Sequence, residues 1–339
     1  MGGIMKFWIA TGGTGGHIFP AVAVADELAR RGHCVVVSTD ARGLRHIRGG
    51  RRRVRVWASG VGARSMARRA ASLIKMSVST VALTVRFLFS RPDKIVAFGG
   101  YSCVPVLIAG RIWRIPAFLH EQNAVMGRAN KFAMPFVKTL MTSFPIGAGI
   151  LVGLPVRRDF YSAVARPESG RLLITGGSLG AAVLDDVVPK AVRVLPANMR
   201  RDLFVIHQTR PENVEKLRRE YADLGVKNNI LSFIKDMAGE LSAASLVISR
   251  SGAGTVAEMQ AVGVPAILVP LGINPDQMAN ARAFAQNGGG IVITQADFTP
   301  ELVARHLGAL IGNPERLARM AAKAHAVNNA VNNILDVIL

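Results

Sequence analysis

The sequence predicts an α/β protein made of two parallel-sheet domains, and three observations support this. Short apolar runs alternate with helix-length amphipathic segments through most of the 339 residues, as in parallel sheets covered by helices on both faces. A glycine-rich turn that leads from a strand into a helix occurs twice, after residues 6–10 and after 171–175, which indicates two Rossmann-like units. The length also suits two domains.

The individual elements follow from the same pattern. Strands are expected at 6–10, 34–38, 94–98, 116–119, 171–175, 203–207, 246–249, 266–269 and 291–293. The helices between them include 20–31, 181–195, 254–262 and 276–287. A polar stretch containing prolines, near 155–169, is the expected linker. We therefore expect domains at 1–155 and 156–315, with a C-terminal helix at 316–339 that packs back towards the first domain.

Composition excludes several classes of protein. Half of the residues are hydrophobic and 19% are charged, so the chain can bury a core and is not disordered. The only cysteines, Cys34 and Cys103, exclude a disulfide scaffold and a Cys-rich zinc site, and suit a reducing cytosol. The N-terminal sequence lacks a signal-peptide pattern, and the absence of about 18 consecutive apolar residues without charge argues against a membrane-spanning helix.

Charge is distributed unevenly. The formal net charge is +20, and residues 1–150 hold 22 basic against 5 acidic residues. Such a surface suits nucleic acid or anionic lipid, and the lack of recognised nucleic-acid motifs disfavours the former. In a predicted helix over 64–89, four basic residues lie within about 40° of one another: Arg64, Arg68, Lys75 and Arg86, opposite Ile74, Val81, Val85 and Leu88. This pattern predicts either peripheral attachment to anionic headgroups or an ordinary solvated basic face.

The first glycine-rich turn, at residues 12–16, is a candidate phosphate site, because its backbone N–H groups and the following helix start favour anions. Position 18 is isoleucine, so the turn is not the dinucleotide fingerprint. Asp40 at the end of the next strand nevertheless keeps a nicotinamide oxidoreductase as an alternative. His17 is the candidate general base, since histidine titrates near neutrality. Its alternative role is to order the loop or bind an acceptor diphosphate, which would leave Glu121 as the next candidate base.

The second half repeats this pattern at 176–181 and 250–255. Glu258 lies about one turn into the following helix, where it could accept hydrogen bonds from ribose hydroxyls or merely complement the helix dipole. The polar run 120–123 follows the carboxyl end of a strand, where α/β sheets bind ligands. The sequence has no D-x-D pair, Walker A motif or H-E-x-x-H motif. A diphosphate would therefore be bound by helix N-termini and arginine, and no metal or cofactor is expected.

The ordered set of motifs resembles glycosyltransferase family 28. These motifs are GGTGGHIFP at 12–20, FGGY at 98–101, HEQNA at 120–124, LPVR at 154–157, GGSLGA at 176–181, HQ at 207–208, FIKDM at 233–237, SRSGAGTVAE at 249–258 and DQMANA at 276–281. Each is weak alone, but together they are specific and span nearly the whole chain. The resemblance implies a GT-B architecture, in which two Rossmann-like domains face each other across a cleft. The lipid acceptor would bind at the first domain and the UDP-sugar chiefly at the second.

The resemblance also implies a reaction. N-acetylglucosamine would pass from UDP-N-acetylglucosamine to the 4-hydroxyl of the muramoyl sugar of undecaprenyl-diphospho-muramoylpentapeptide, with inversion at C1. This is a step of peptidoglycan synthesis, and so of cell-wall biogenesis, cell shape and cell division. The expected location is the cytoplasmic face of the bacterial inner membrane, with peripheral attachment to anionic lipids and no nucleic-acid partner. A sister glycosyltransferase with a diacylglycerol acceptor is an alternative, which the HEQN motif and the short chain disfavour.

The family's site residues carry over onto matching positions. The expected donor-site residues are Thr14, Gly15 and Gly16 near phosphate, Asn123 and Arg157 from the first domain, Ser178 near the diphosphate, Ile234 at the uracil, Ala253, Gly254, Thr255, Val256, Ala257 and Glu258 around the nucleotide, and Gln277 and Asn280 at the sugar. Three positions depart from the family pattern: Leu179 replaces glutamine, Leu154 replaces asparagine, and Arg210 or Pro211 replaces a glycine. One lost polar contact costs about 0.5–1.5 kcal/mol, which would weaken donor binding without abolishing it.

Overall fold

A computed structural model describes residues 3–47, 52–58, 66–163, 165–177, 180–325 and 329–339. The chain forms two units: unit 1 comprises Met1–Arg157 and Asn328–Leu339, and unit 2 comprises Arg158–Val327. Each unit contains one parallel sheet with helices packed against it, so the predicted fold class is confirmed. The return to unit 1 begins at residue 328 rather than at 316, because helix 314–324 packs in unit 2 through Met320.

Unit 1 is built on a seven-stranded sheet of order β3-β2-β1-β4-β5-β6-β7. Its strands are β1 (Lys6–Ala10), β2 (Cys34–Thr39), β3 (Arg52–Arg55), β4 (Lys94–Ala97), β5 (Ala117–Glu121), β6 (Thr139–Thr142) and β7 (Ile150–Leu151). Its helices are α1 (Gly15–Arg30), α2 (Met66–Phe89), α3 (Cys103–Ile112), α4 (Arg128–Ala133) and, from the C-terminus, α14 (Ala330–Ile338). The strand order reverses between β1 and β4, where ligand sites form in such sheets.

Alternation along β1 produces the two cores of unit 1. Successive side chains of a strand point to opposite faces, so Phe7 and Ile9 pack with α1 and α14, whereas Trp8 and Ala10 pack with α2 and α3. All four side chains are almost completely buried. The C-terminal helix thus completes one face of the N-terminal sheet, mainly through Ile334, Leu335 and Ile338.

Unit 2 contains a six-stranded sheet of order β10-β9-β8-β11-β12-β13. The strands are β8 (Arg171–Thr175), β9 (Phe204–Gln208), β10 (Lys227–Leu231), β11 (Leu246–Ser249), β12 (Ala266–Leu268) and β13 (Gly290–Val292). The helices are α5 (Arg158–Ser162), α6 (Ala182–Val194), α7 (Ala197–Arg201), α8 (Val214–Asp223), α9 (Met237–Ala243), α10 (Ala253–Val262), α11 (Pro275–Gln286), α12 (Pro300–Ile311) and α13 (Pro314–Ala324). The order reverses between β8 and β11, and this places the second predicted site.

Helix α2 buries a different side from the one the charge pattern suggested. Its buried stripe consists of Ser72, Met76, Ser79, Leu83 and Phe87, which pack towards α3 and β1. Ser79 also exchanges hydrogen bonds of 2.9 and 3.0 Å with the backbone of Trp57. The side opposite the basic stripe therefore does not enter the core: Ile74, Val81, Val85 and Leu88 are all more than half exposed.

Helix α2 is also the segment to compare with the expectation that the chain has no membrane-spanning helix. By length and composition alone, the segment Arg69–Phe89 could cross a membrane. In its most apolar stretch of 18 residues, 28% of the residues are buried in the protein. The segment contains Lys75 and Arg86, and it contributes Leu83 and Phe87 to the core of unit 1.

Several elements differ from the sequence-based prediction. Helix α1 begins at Gly15 rather than at residue 20, so the glycines of the turn already form its first residues. Four strands were not predicted: β3, β6, β7 and β10. Three of them are edge strands, which need little apolar sequence: β3 reads RRVR, β10 reads KNNIL and β7 has only two residues.

Candidate functional site

In unit 1, the predicted site motifs follow β1, β4 and β5, and Arg157 follows β7. The loops after β1 and β4 are packed tightly enough to exclude side chains. A Cβ atom on Gly100 would lie 3.0 Å from the Cα of Gly12, and Gly99 and Gly100 both have positive φ. The hydroxyl of Ser102 donates to the carbonyl of Thr11 at 2.8 Å. The glycines therefore allow the two loops to meet beside the start of α1.

His17 lies within this junction. Its Nδ1 is 2.6 Å from Oγ1 of Thr14, the N-cap residue of α1. Its half-buried ring lies against Gly12 and Gly99, since Cβ atoms there would be 3.4 and 3.1 Å from ring carbons. When Nδ1 donates to Thr14, the lone pair is on Nε2, which is the tautomer a general base requires.

The two residues that end β5 are held in the interior. His120 is completely buried, and its Nε2 donates to the carbonyl of Gly153 at 2.8 Å. Burial lowers the pKa of His120 to about 4, so its imidazole is neutral at physiological pH. It therefore acts as a fixed hydrogen-bond donor between β5 and the segment after β7.

The carboxylate of Glu121 is fully occupied. Its Oε1 accepts from the backbone N–H and the Nδ2 of Asn123 at 3.0 and 3.2 Å. Its Oε2 accepts from the N–H of Gly127 at 2.9 Å and from Nδ2 of Asn130 at 2.7 Å. With only 1% of its surface exposed, Glu121 is built to hold the loop before α4, and this geometry disfavours it as a general base.

Asp40, the residue on which the alternative of a nicotinamide oxidoreductase depended, also has its carboxylate engaged within the protein. Asp40 accepts backbone hydrogen bonds from Arg42 and Gly43 at 2.9 and 3.1 Å, and it pairs with the Arg42 guanidinium at 2.8 Å. Burial alone would raise the pKa of Asp40, but these bonds hold it below the usual value. The carboxylate packs against Gly13. It therefore stabilises the glycine-rich turn, and this geometry does not favour a contact with a ribose.

The remaining donor-site candidates of unit 1 are accessible. Thr14, Gly16 and Arg157 are exposed, and Gly15 and Asn123 are half-buried. Leu154, where the family has asparagine, is buried to 6% exposure. The structure thus places the glycine-rich turn at the carboxyl edge of the sheet, where its N–H groups can meet an anion.

In unit 2, the corresponding turn follows β8. Thr175 fixes its start, because Thr175 Oγ1 accepts from the N–H of Gly177 at 3.1 Å and donates to Oε1 of Gln208 at 2.6 Å. Ser178 and Leu179, the predicted diphosphate contact and the departure beside it, lie outside the described residues. Gly180 has a φ of +68° and leads directly into α6.

Beneath this turn lies a buried polar network that the sequence analysis did not assign. Asp185, in the first turns of α6, accepts from Nε2 of His207 at 3.1 Å, Oγ1 of Thr209 at 2.7 Å and Nδ2 of Asn213 at 3.0 Å. The other ring nitrogen of His207 lies 3.1 Å from the hydroxyl of Tyr221. Burial opposes ionisation of Asp185, but the hydrogen bonds outweigh it and lower the pKa of this carboxyl. The HQ motif was the only sequence signal for this network.

The third turn connects β11 to α10. Ala253, Gly254, Thr255 and Glu258 are half-buried on this segment, as a ligand contact requires. Val256 and Ala257 instead face the core, at 0% and 9% exposure. Their predicted contacts with the nucleotide therefore cannot involve their side chains in this conformation, because α10 directs these two positions inwards.

The residues predicted to contact the sugar support this third turn. Gln277 accepts from the N–H of Leu271 at 2.9 Å through its side chain, and its carbonyl accepts from Ser251 Oγ at 2.8 Å. Asn280 is completely buried, and its Nδ2 donates to the carbonyl of Ser251 at 3.2 Å. Asn280 thus differs from the prediction, since it faces the protein and holds the turn from behind.

Two further predictions concern Ile234, the expected uracil contact, and the expected absence of a metal ion. Ile234 directs its side chain inwards, with 5% exposure, which leaves its backbone for the predicted recognition. Within the described parts of the chain, no group of three or more His, Cys, Asp or Glu side chains could hold a metal ion.

Comparison with known proteins identifies the family. Residues 7–142 match the N-terminal domain of glycosyltransferase family 28, and residues 171–335 match its C-terminal domain. The chain therefore belongs to glycosyltransferase family 28, and the predicted class of enzyme is confirmed.

Individual relatives extend across nearly the entire chain. It is 40% identical to a protein of Phenylobacterium zucineum, over 97% of this chain and 96% of the relative, and 40% identical to one of Rhodospirillum rubrum, over 97% and 90%. Both are named UDP-N-acetylglucosamine--N-acetylmuramyl-(pentapeptide) pyrophosphoryl-undecaprenol N-acetylglucosamine transferase. The crystal structure of MurG from Acinetobacter baumannii superimposes with a TM-score of 0.82 at 32% identity, covering 99% of each chain.

Proposed function

We propose that this enzyme transfers N-acetylglucosamine from UDP-N-acetylglucosamine to the 4-hydroxyl of the muramoyl sugar of undecaprenyl-diphospho-muramoylpentapeptide. The observation that carries the proposal is that relatives named for this reaction match 97% of the chain at 40% identity. The placement of the family motifs at the carboxyl edges of the two sheets supports it, because sheets of this type bind ligands there.

The donor is assigned chiefly to unit 2. The backbone of Ile234 recognises uracil, and Glu258 accepts hydrogen bonds from the ribose hydroxyls. The diphosphate lies at the turn after β8, where Ser178 and the helix start meet its charge. Gln277 contacts the sugar, while Asn280 positions Ser251 from the protein side. No metal ion is needed for this arrangement, because N–H groups and arginine supply the positive potential.

The acceptor is assigned to unit 1. His17 removes the proton of the attacking hydroxyl as that oxygen displaces UDP from C1, with inversion of the anomeric centre. The hydrogen bond between His17 and Thr14 fixes the ring for this step. The turns that contain Gly12 and Gly100 provide backbone N–H groups for the acceptor diphosphate. Asn123 and Arg157 contribute to donor binding from this unit.

One assay tests the function directly. The protein is mixed with UDP-N-acetylglucosamine and a short-chain, soluble analogue of the lipid-linked muramoylpentapeptide, and UDP release is measured. We expect UDP release that requires the acceptor. Release with a diacylglycerol acceptor instead, or reduction of a nicotinamide cofactor without any UDP binding, would overturn the proposal.

We further propose that unit 1 binds the cytoplasmic face of the inner membrane through α2. Its exposed apolar side chains include Ile74, Val81 and Leu88, each about 60% exposed. Lys75 and Arg69 are also exposed on this helix, and each basic residue near an anionic surface contributes about 1 kcal/mol. Arg86 is less available, since its guanidinium lies over the ring of Trp8 at 5.6 Å. Arg64 and the side chain of Arg68 lie outside the described part of the chain.

Two variants separate the contributions to membrane binding. The charge variant carries Arg69→Glu and Lys75→Glu, and the apolar variant carries Ile74→Ser, Val81→Ser and Leu88→Ser. Both should pellet less with phosphatidylglycerol-containing vesicles at physiological salt while binding UDP normally. Two lost attractions of about 1 kcal/mol each predict roughly 30-fold weaker binding.

The control for this test is Val194→Ser, which alters an exposed apolar residue of unit 2. It should pellet like the wild type. Unchanged co-sedimentation of both α2 variants would show that this helix is a solvated surface and that another region binds the membrane.

A further inference from the structure

The loop after β9 carries a basic residue beside the turn to which the donor diphosphate is assigned. Three basic residues follow strand ends on this edge of unit 2: Arg210 after β9, Lys235 after β10 and Arg250 after β11. Arg250 is turned towards β12, since its guanidinium donates to the carbonyl of Val269 at 3.0 Å and to Gln295 at 2.8 Å. Both β9 and β11 pair directly with β8, and since Arg250 is turned towards β12, Arg210 is the basic residue of these two loops that stays beside the glycine-rich turn.

The side chain of Arg210 packs directly on that turn. A Cβ atom built on Gly180 would lie 3.1 Å from Cγ of Arg210 and 3.6 Å from its Nε. Gly180 directly precedes Ala181, the N-cap of α6, and the first N–H groups of this helix have no partner within the helix. The side chain of Arg210, an exposed residue, therefore runs along the turn that leads into α6, where an anion would bind.

The polar network beneath the turn fixes this position. Oδ2 of Asp185 accepts from Thr209, directly before Arg210, and from Asn213, three residues after it. Oδ1 of the same carboxylate accepts from the buried His207. The loop that carries Arg210 is thus attached to the first turns of α6 at both ends, and α6 is the helix that the turn initiates.

The negative charge of Asp185 in this network would repel a diphosphate bound at the start of α6. Asp185 brings a buried negative charge into the first turns of α6, where it opposes the positive potential of the helix start. A diphosphate bound there would meet this repulsion unless a nearby cation offset it. A guanidinium also suits phosphate oxygens better than an ammonium, because its planar donors can bind two of them at once.

We infer that Arg210 binds the diphosphate of the nucleotide-sugar donor from the loop after β9. This inference rests on the proposed function, since it names a further residue of the same donor site. It assigns a role to a position where the family pattern expects a glycine.

The test compares ligands that differ only in phosphate. The wild type and Arg210→Gln are titrated with uridine, UMP and UDP by calorimetry at low salt. A contact with the diphosphate predicts about tenfold weaker binding of UDP by the variant, a smaller loss for UMP, and an unchanged Kd for uridine. Arg210→Lys should fall between the wild type and Arg210→Gln.

Arg193→Gln is the matched control, because Arg193 is exposed in the last turn of the same helix, about 16 Å along the axis from its start. It should bind all three ligands like the wild type. Equal UDP binding by the wild type and Arg210→Gln would overturn the inference and leave the proposed function intact. Equal losses for uridine and UDP would also overturn it, because they would indicate a change in loop structure. A wild type that binds no UDP would instead overturn the proposed function.

Discussion

Replacement of Glu121 by glutamine should destabilise unit 1 rather than remove a catalytic base. The carboxylate accepts four hydrogen bonds: two from Asn123 and one each from Gly127 and Asn130. Glutamine keeps one acceptor oxygen but presents an NH₂ group to the other two donors. Two donors, each buried or partly buried, then lose their acceptor.

The size of the effect follows from those two lost bonds. Each such donor left without an acceptor costs up to about 1–3 kcal/mol, so Glu121→Gln should lower the free energy of unfolding by about 2–6 kcal/mol. For a unit of this size the melting temperature should fall by roughly 5–20 °C. Among the folded molecules, kcat should retain its pH dependence near the histidine pKa, because the proposed base His17 is intact.

Thermal unfolding followed by circular dichroism measures the first effect, and steady-state kinetics well below the melting temperature measures the second. Glu315→Gln is the control, since Glu315 is 88% exposed and its substitution should change stability by less than about 0.5 kcal/mol. A Glu121→Gln enzyme with wild-type stability and a kcat reduced 100-fold or more would refute this reasoning and assign the proton acceptor to Glu121.

Four further predictions address the remaining assignments. His17→Ala should lower kcat by about 10²–10⁴ and abolish the loss of activity near the histidine pKa as pH falls, with UDP binding unchanged; a raised acceptor KM at normal kcat would limit His17 to binding. Glu258→Ala should weaken UDP binding about tenfold in calorimetry, and wild-type affinity would contradict its contact with ribose. UDP should still bind in EDTA, and binding lost on chelation but restored by Mg²⁺ or Mn²⁺ would show that a metal meets the diphosphate charge. Because the pKa of His120 is lowered to about 4 from about 6.5 in the unfolded chain, the unfolded state binds the extra proton between these values. Stability should therefore fall as pH drops through this window, by up to about 1.4 kcal/mol per pH unit, and His120→Asn should remove that part of the slope in denaturant titrations.

The sequence by itself determined the α/β class, the two sheets and the positions of the glycine-rich turns. Those features depend on local pattern: apolar runs of strand length, helical periodicity, and glycines where the backbone must meet a neighbouring loop. The strands at 34–38, 171–175 and 246–249 were accordingly predicted to within a residue of their observed limits. The ordered motifs also identified the family, because together they match its pattern along nearly the whole chain.

Only the tertiary structure decided which of the candidate side chains are available. In sequence, Glu121 was a second candidate base and Asn280 a candidate sugar contact. In the structure both are buried: Glu121 binds the loop that follows it, and Asn280 donates to Ser251 in another loop. The buried side of α2 could not be read from its periodicity, because its core stripe contains serines while its exposed sides are largely apolar. Arg210 stands beside Gly180 only because β9 pairs with β8. Burial and such proximities are set by long-range packing, which the local sequence pattern does not encode.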